Sequence, residues 1–359
     1  MRFPLYFPVT ILTSGGYHDK RHLASGSNVL TGLMPLSIIG SAQREDRGLM
    51  NVIRTTGADA ETLAEGTCVT IGNFDGVHRG HQSLLAEVAA QKANGLKAGL
   101  VTFDPHPVAV IAPDKAPLRL CTLERRLQLV ERSGLDFTLV IPFDKTFSQT
   151  EPETFIAEVL VRQLRVQHLV VGPDCRFGKA RRGDAALLKT ESDRHGYTVQ
   201  DMAPLMEGDI RVSSSAIRRA LSEGRVEDAH AMLGRPHSVD GTVIPGDQRG
   251  RQLGFPTANL KPVDRLLVPQ AGVYSGRVSG TDLSEHPAVL NIGIRPTFGG
   301  AQTSVEIHLL NFSGDLYGQE LSVTTHHRLR GEQKFGSVDE LKAQIASDAS
   351  AAEHLLTGG

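Results

Sequence analysis

Cysteine is scarce in this 359-residue chain: Cys68, Cys121 and Cys175 are its three, they lie far apart, and no CxxC occurs. An odd and scattered set argues against a disulfide framework and against a structural zinc site, and it suits a reducing compartment, so a cytoplasmic protein is expected. An excess of one charge is also lacking. The formal balance of −2 gives no general attraction to nucleic acid or to an anionic membrane, so neither is expected as a partner, and any phosphate binding must come from local geometry. No apolar run nears the length of a bilayer span, and no transmembrane segment is expected. Nothing repeats at a fixed period.

What is present is ordinary for a globular protein, with 40% apolar and 22% charged residues. The length exceeds what one core usually serves, so two domains with appendages are expected. The first 49 residues open "MRFPLYFPVTILTSGG", where prolines interrupt the apolar residues and no small-residue cleavage site follows. They are expected to be a disordered extension, with Met50 as an alternative start.

From Thr67 to Pro204, short β-branched runs ("TCVTI", "KAGLVTF", "FTLVIPF", "HLVVG", "TVQDMAPL") alternate with amphipathic helical stretches. Thr150 and Glu153 have the spacing of a capping box, and Gly95, Gly134 and Gly196 stand where helices should stop. Such alternation predicts a parallel sheet with helices on both faces. "SSSAIRRALSEGRVEDAHAMLG" is expected to be one helix. Beyond His237 the runs "SVDGTVI", "GVYSGRV", "PAVLNIGI", "SVEIHLLNF" and "ELSVTTHHRL" are separated by turn residues alone, which predicts an antiparallel sheet or small barrel before a final helix, "SVDELKAQIASDASAAEHLL". The expected division is thus 1–49, an α/β domain at 50–235 and a β domain at 236–359.

The loop after the first strand, "IGNFDGVHRGHQSLL", carries His78 and His81 but neither GxGxxG nor GK[ST]. At the carboxyl end of a strand and the start of a helix, with glycines admitting close backbone approach, it suits an anion, and imidazoles could donate to phosphate oxygens. Two other readings are open at this point. His78, His81, Asp104 and His106 could supply a metal centre, or the histidines could merely cap and pack. Ser213-Ser214-Ser215 with Arg218 at a later helix start combines hydroxyls, helix N–H groups and a guanidinium, which favours phosphate over metal.

"GNFDGVHRGH", "VTFDPHP", "VVGPDCRFGKARRGD" and "VSSSAIR" resemble the adenylyltransferase module of bacterial bifunctional riboflavin kinase/FAD synthetases, over about Val69 to Leu221. The resemblance implies a Rossmann-like nucleotidyltransferase fold in which Gly72, Asn73 and Phe74 line the nucleotide site and His78 and His81 bind the ATP phosphates. It also implies that Ser214, Ser215 and Arg218 hold the leaving phosphates, that Asp104 lies beside flavin or metal, and that Asp174 and Arg176 contact flavin. Two positions depart from the family pattern. Ser215 replaces a threonine and keeps the hydroxyl, while Cys175 replaces an aromatic and either reshapes a flavin-facing wall or only changes packing. Lys179, Arg181 and Arg182 are most simply a solvated loop, the other reading being that they touch phosphate.

"GTVIPGDQRGRQLGFPTANL" is a glycine-rich loop ending in Thr257-x-Asn259, whose N–H groups could cradle phosphates and whose oxygens could ligate Mg²⁺. On "SVEIHLLNF", Val305 and Ile307 share one face and Glu306 and His308 the other, so Glu306 either points to a ligand or faces solvent. With "NIGIRPTFGG", "FSGDLYGQELSV" and "RLRGEQKF", these stretches resemble the riboflavin kinase module of the same family, over about Gly241 to Gln344. That resemblance implies a six-stranded Greek-key barrel with a trailing helix. In it Gly254, Thr257 and Asn259 bind ATP phosphates, the last two also Mg²⁺; Glu306 is the base, and Asn291 and Arg295 lie near the nucleotide. The expected activity is phosphorylation of riboflavin to FMN by ATP, then adenylylation of FMN to FAD, in a monomer or weak homo-oligomer that handles only small molecules. Two rival expectations are a metal-dependent hydrolase built on the HxxH loop and a non-catalytic flavin-binding regulator.

Overall fold

The structure is a computed structural model that describes residues 50–54, 65–246, 250, 253–297 and 300–357. The expectation for the first 49 residues lies outside these. Six strands, β1 (Asn51–Arg54), β2 (Thr67–Ile71), β3 (Lys97–Asp104), β4 (Phe137–Pro142), β5 (Val166–Val171) and β6 (Thr198–Asp201), form one parallel sheet in the order β1-β4-β3-β2-β5-β6. Strand β2 is buried at every residue, as a strand covered on both faces must be.

The alternation along the strands assigns each face its helices. Cys68, Ala98, Leu100 and Val170 point to one side, where α1 (Arg79–Ala90) and, beyond the short α2 (Pro107–Ile111), α3 (Leu123–Glu131) supply Leu84, Leu85, Val88, Leu129 and Val130. Val69, Ile71, Val101 and Leu169 point to the other, against α4 (Pro152–Phe155), the π-helical turns Ile156–Gln163 that continue it, and α5 (Ala185–His195). Burying each such Leu or Val side chain is worth about 1.5–3 kcal/mol.

Two local expectations are corrected. The capping box at Thr150 does not form: α4 begins at Pro152 with Glu151 as its N-cap, and no side chain caps it. Proline at the first helical position has no N–H to satisfy and fixes φ for the helix, so it sets the start, while the Glu151 carboxylate is taken by Lys179 and Arg182. The long helix expected from Ser213 is two helices, α6 (Ser214–Ser222) and α7 (Val226–Leu233). Between them Gly224 turns left-handed at φ +74, a backbone conformation that favours glycine at the corner.

The later strands β9 (His237–Ile244), β10 (Ala258–Pro262), β11 (Gly272–Ser279), β12 (His286–Thr297), β13 (Gly300–Leu309) and β14 (Glu320–Arg330) close into an antiparallel barrel, β10-β13-β12-β11-β14-β9. A short hairpin of β7 (Met206–Glu207) and β8 (Ile210–Arg211) precedes it. Inward residues such as Leu260, Leu290, Ile292, Val305 and Ile307 fill the barrel, and Ile217, Leu221, Ala229 and Met232 of α6 and α7 belong to the same core. The last helix, α8 (Val338–Thr357), is tied to β14 by Arg330, whose Nη2 and Nε donate to the buried Asp348 carboxylate at 2.8 and 3.0 Å.

Candidate functional sites

The loop Gly72–His78 leaves β2 where the sheet order reverses, between β3 and β5, the position at which open α/β sheets hold ligands. Its backbone is unusual: Phe74, Gly76 and Val77 all have positive φ, at 50, 81 and 39°. For Phe74 and Val77 that costs about 1–2 kcal/mol each, offset here by full burial of both side chains.

His78 is the N-cap of α1, and its Nδ1 accepts from the His81 N–H at 3.2 Å. The His78 proton therefore sits on Nε2, which remains a donor. The two imidazoles stack at 3.6 Å and 15°, and the Phe74 ring lies 4.5 Å from His81. Burial pushes His78 down to about 4, and burial with the neighbouring His78 and Arg126 holds His81 well below the usual histidine range. Both rings are thus neutral near pH 7, which is what lets them stack.

These residues open onto a cavity of about 880 Å³. Gly72, Asn73, Phe74, His78, His81, Asp174, Arg176, Ser214, Ser215 and Arg218 all line it, so ten of the sequence-predicted residues are brought together. Asp104 is not among the lining residues. Its carboxylate lies 3.6 Å from Arg126, whose buried guanidinium also donates to Asn73 O at 2.8 Å and Thr102 Oγ1 at 3.1 Å, so Asp104 helps to hold the loop from behind. Asp174 pairs with Arg211, and Arg176 lies 3.6 Å from Asp184.

Cys175 both lines the cavity and packs in the core beside Phe177. Burial pushes its thiol up to about 12, so it stays protonated and acts as a small apolar residue. The half-buried Lys179 and the exposed Arg182 pair with Glu151, whereas Arg181 reaches the cavity.

Sequence reasoning missed two features. One is an aromatic wall of Phe103, Phe143, Phe147, Phe155 and Phe177, with successive centroids 5.4–6.4 Å apart, drawn from four separate segments. The other is Asp75. Its buried carboxylate pairs with Arg218 and accepts the Leu120 N–H at 3.0 Å, while Ser214 Oγ donates to its carbonyl at 2.9 Å. Arg218 is therefore oriented by Asp75 and by Leu118 O, which accepts from its Nε at 2.7 Å. The signal was the lone acid in "GNFDG". Among the described residues no three His, Cys, Asp or Glu side chains are placed to hold a metal, so the HxxH hydrolase centre is not formed.

The second candidate site lies on the outside of the barrel. Register places Asn259 of β10, Glu306 of β13 and Asn291 of β12 side by side in one row. Since Leu260, Val305, Ile307, Leu290 and Ile292 point inward, the row faces outward, with Glu306 half-buried. Two residues along the same face, His308 Nδ1 lies 2.9 Å from Pro256 O. Gly246 lies close against the row, and Gly250 against the turn that leads into it. A Cβ on Gly246 would fall 2.0 Å from Asn259 Nδ2, and one on Gly250 would fall 2.4 Å from Phe255 O and 3.1 Å from Thr257 Oγ1. Gly254 is exposed at φ +91. Residues 247–249, 251–252 and the Arg295 side chain lie outside the described residues.

A parallel sheet of nucleotidyltransferase type followed by a closed barrel of riboflavin kinase type is the class that this fold defines. The family described as FAD synthetase matches residues 60–216, and the one described as riboflavin kinase matches 233–356. A bifunctional riboflavin kinase/FMN adenylyltransferase of Escherichia coli K12 is 41% identical over 300 residues, 83% of this chain and 96% of that one. A protein of the same description from Haemophilus influenzae is 38% identical over 297 residues, 82% and 96% of the two chains. The crystal structure of a protein described as a macrolide-efflux protein, from Streptococcus pneumoniae, superposes with a TM-score of 0.76 at 28% identity, covering 85% of this chain and 99% of that one. The chain belongs to the bifunctional riboflavin kinase/FMN adenylyltransferase family. No helix among the described residues is long and apolar enough to cross a membrane.

Proposed function

We propose that this chain phosphorylates riboflavin to FMN on the barrel and adenylylates FMN to FAD in the sheet cavity, with ATP as co-substrate of both steps. The observation that carries the second activity is convergence: two separate anion-holding elements, the histidine loop at α1 and the serine–arginine start of α6, face one cavity that also has an aromatic wall. A nucleotide's phosphates suit the first two and a flavin ring suits the third.

In adenylylation the FMN phosphate attacks the α-phosphorus of ATP and pyrophosphate leaves. The nucleophile is already an anion, so no base is required. His78 Nε2–H, His81 and the α1 N-terminus stabilise charge developing at the α-phosphate, and Ser214, Ser215 and Arg218 hold the departing phosphates. The neutral imidazoles gain a proton more readily once polyphosphate charge is beside them.

In riboflavin phosphorylation Glu306 takes the proton of the ribityl 5′-hydroxyl as that oxygen attacks the γ-phosphorus and ADP leaves. Thr257 Oγ1 and Asn259 Oδ1, held against the close-packed glycine loop, are hard oxygen donors that fit Mg²⁺. The ion would neutralise phosphate charge there. Asn291 and Gly254 complete the nucleotide side. Asp174 and Arg176 lie on the flavin side of the cavity; Asp104 acts through Arg126.

The division at 50–235 and 236–359, a cytoplasmic location, and a monomer or weak homo-oligomer acting only on small molecules belong to the same proposal. The test is to incubate the chain with riboflavin, ATP and Mg²⁺ and to follow FMN and FAD by chromatography. Successive FMN and FAD support both sites; a chain that stops at FMN defeats the adenylylation reading, and one that leaves riboflavin untouched makes the barrel a flavin-binding module.

A further inference from the structure

A three-residue strap, Leu118–Leu120, joins the adenylylation site to the barrel. Its backbone alternates as a strand's does, with successive peptide groups pointing to opposite sides. On one side Leu118 O accepts from Arg218 Nε at 2.7 Å, and Leu120 N–H donates to both oxygens of the Asp75 carboxylate, at 3.0 and 3.1 Å. On the other side Arg119 N–H donates to Arg265 O, and Leu267 N–H donates to Arg119 O, each at 2.8 Å. The guanidinium groups fasten the same junction: Arg119 Nη2 donates to Asp264 O and Arg265 Nη2 to Ala116 O, each at 2.7 Å. Leu120, Ile217, Leu266 and Leu267 share one buried core.

Among the described residues, the hydrogen bonds of the Arg218 guanidinium run to the strap and to Asp75, which the strap holds, and the strap's other edge belongs to the segment 264–267 of the barrel. Arg265 adopts φ +60 to make this junction, a left-handed backbone that an arginine takes only when its surroundings hold it there.

We propose that residues 264–267 are positioning residues for adenylyl transfer: the riboflavin kinase half sets the orientation of the Arg218 fork, and hence the grip on the leaving pyrophosphate, through the strap. This rests on the adenylylation reading above. Arg265 and Leu267 touch no substrate; they act through Leu118, Leu120 and Asp75. The barrel is then part of the second active site and not only its neighbour.

The experiment runs the reaction backward in the full-length protein, FAD plus pyrophosphate returning FMN and ATP, and measures KM for each substrate separately. Arg265→Ala removes the clamp on Ala116, and Leu267→Pro removes the N–H that holds Arg119. Each is expected to raise KM for pyrophosphate about three- to tenfold while KM for FAD and the rate of FMN formation from riboflavin stay unchanged. In an Arg218→Lys background the same substitutions should add little, because the group they position is already altered. Arg277→Ala, which cuts bonds to Glu285 O and Leu356 O elsewhere on the barrel, should leave both reactions alone.

Equal changes in both KM values, full additivity with Arg218→Lys, or no change at all would each overturn the coupling. Should Leu267→Pro not fold, Arg265→Ala decides. A wild-type chain that makes no FAD from FMN and ATP refutes the adenylylation reading and this inference with it; wild-type FAD synthesis with unaltered variants refutes this inference alone.

Discussion

The two proposed sites are built on opposite plans. In the sheet, the strands contribute almost nothing directly: the groups that face the cavity come from the loops at strand ends and from the first turns of α1 and α6, and the polar side chains are fixed by backbone bonds. On the barrel, three strands contribute one side chain each, Asn259, Glu306 and Asn291, and register alone brings them into line. A site made of helix starts depends on loop backbone, whereas a site made of a strand row depends on pairing and on what presses against it.

The largest effect expected from this contrast is at Glu306. Glu306→Gln should lower FMN formation by about 10²–10⁴-fold and leave the conversion of supplied FMN to FAD unchanged, read by chromatography of each half-reaction. His81→Ala should do the converse, lowering FAD formation by about 10²–10³-fold with riboflavin phosphorylation intact. If either substitution silences both reactions, the two plans are not independent. Gly246→Ala sharpens the barrel half of the comparison. Its Cβ would meet Asn259 Nδ2 at 2.0 Å, and the displaced amide should cost about ten- to a hundredfold in riboflavin phosphorylation, with melting temperature little changed.

Acidity should test the burial of the histidine loop through stability. His78 titrates at about 4 in the folded chain against an ordinary 6.5, so between those values the unfolded chain binds the extra proton. The stability His78 contributes is complete above pH 6.5 and is lost as pH falls toward 4, on the order of 1–3 kcal/mol. Thermal melts across that window should slope less steeply in His78→Gln; an unchanged slope would mean that the imidazole is not buried neutral. At the bottom of the scale, Arg162→Ala breaks only an exposed pair with Glu158 and should move stability by about 0.3–0.5 kcal/mol and neither activity.

What could be read in advance follows from range. The parallel strands and their helices were legible because β-branched runs and 3.6-residue periodicity are local properties. Strand β1 was not, since "NVIR" is short and largely exposed and is a strand only because β4 lies beside it. Strand β10 was hidden for the same reason: Leu260 is its one fully buried residue, and its partners β9 and β13 lie on either side of it in the chain. The histidine loop and the serine–arginine helix start were visible as motifs. The partner of Arg218 was not, because the pairing of Asp75 with a guanidinium 143 positions away is a tertiary fact. The aromatic wall escaped for a like reason, its rings being collected from separate segments.

The core that α6 and α7 share with the barrel bears on how the protein is made. A ribosome delivers the sheet first, yet the core that holds Ile217, Leu221, Ala229 and Met232 is completed mostly by barrel residues that follow them, with Leu120 and Val212 the earlier members. Until β9 to β14 emerge, that apolar surface stands open, and the helix that starts with Ser214 and carries Arg218 lacks its backing. On the proposed roles, the nascent chain has a nearly finished sheet but a cavity whose α6 side is not yet backed until the barrel follows.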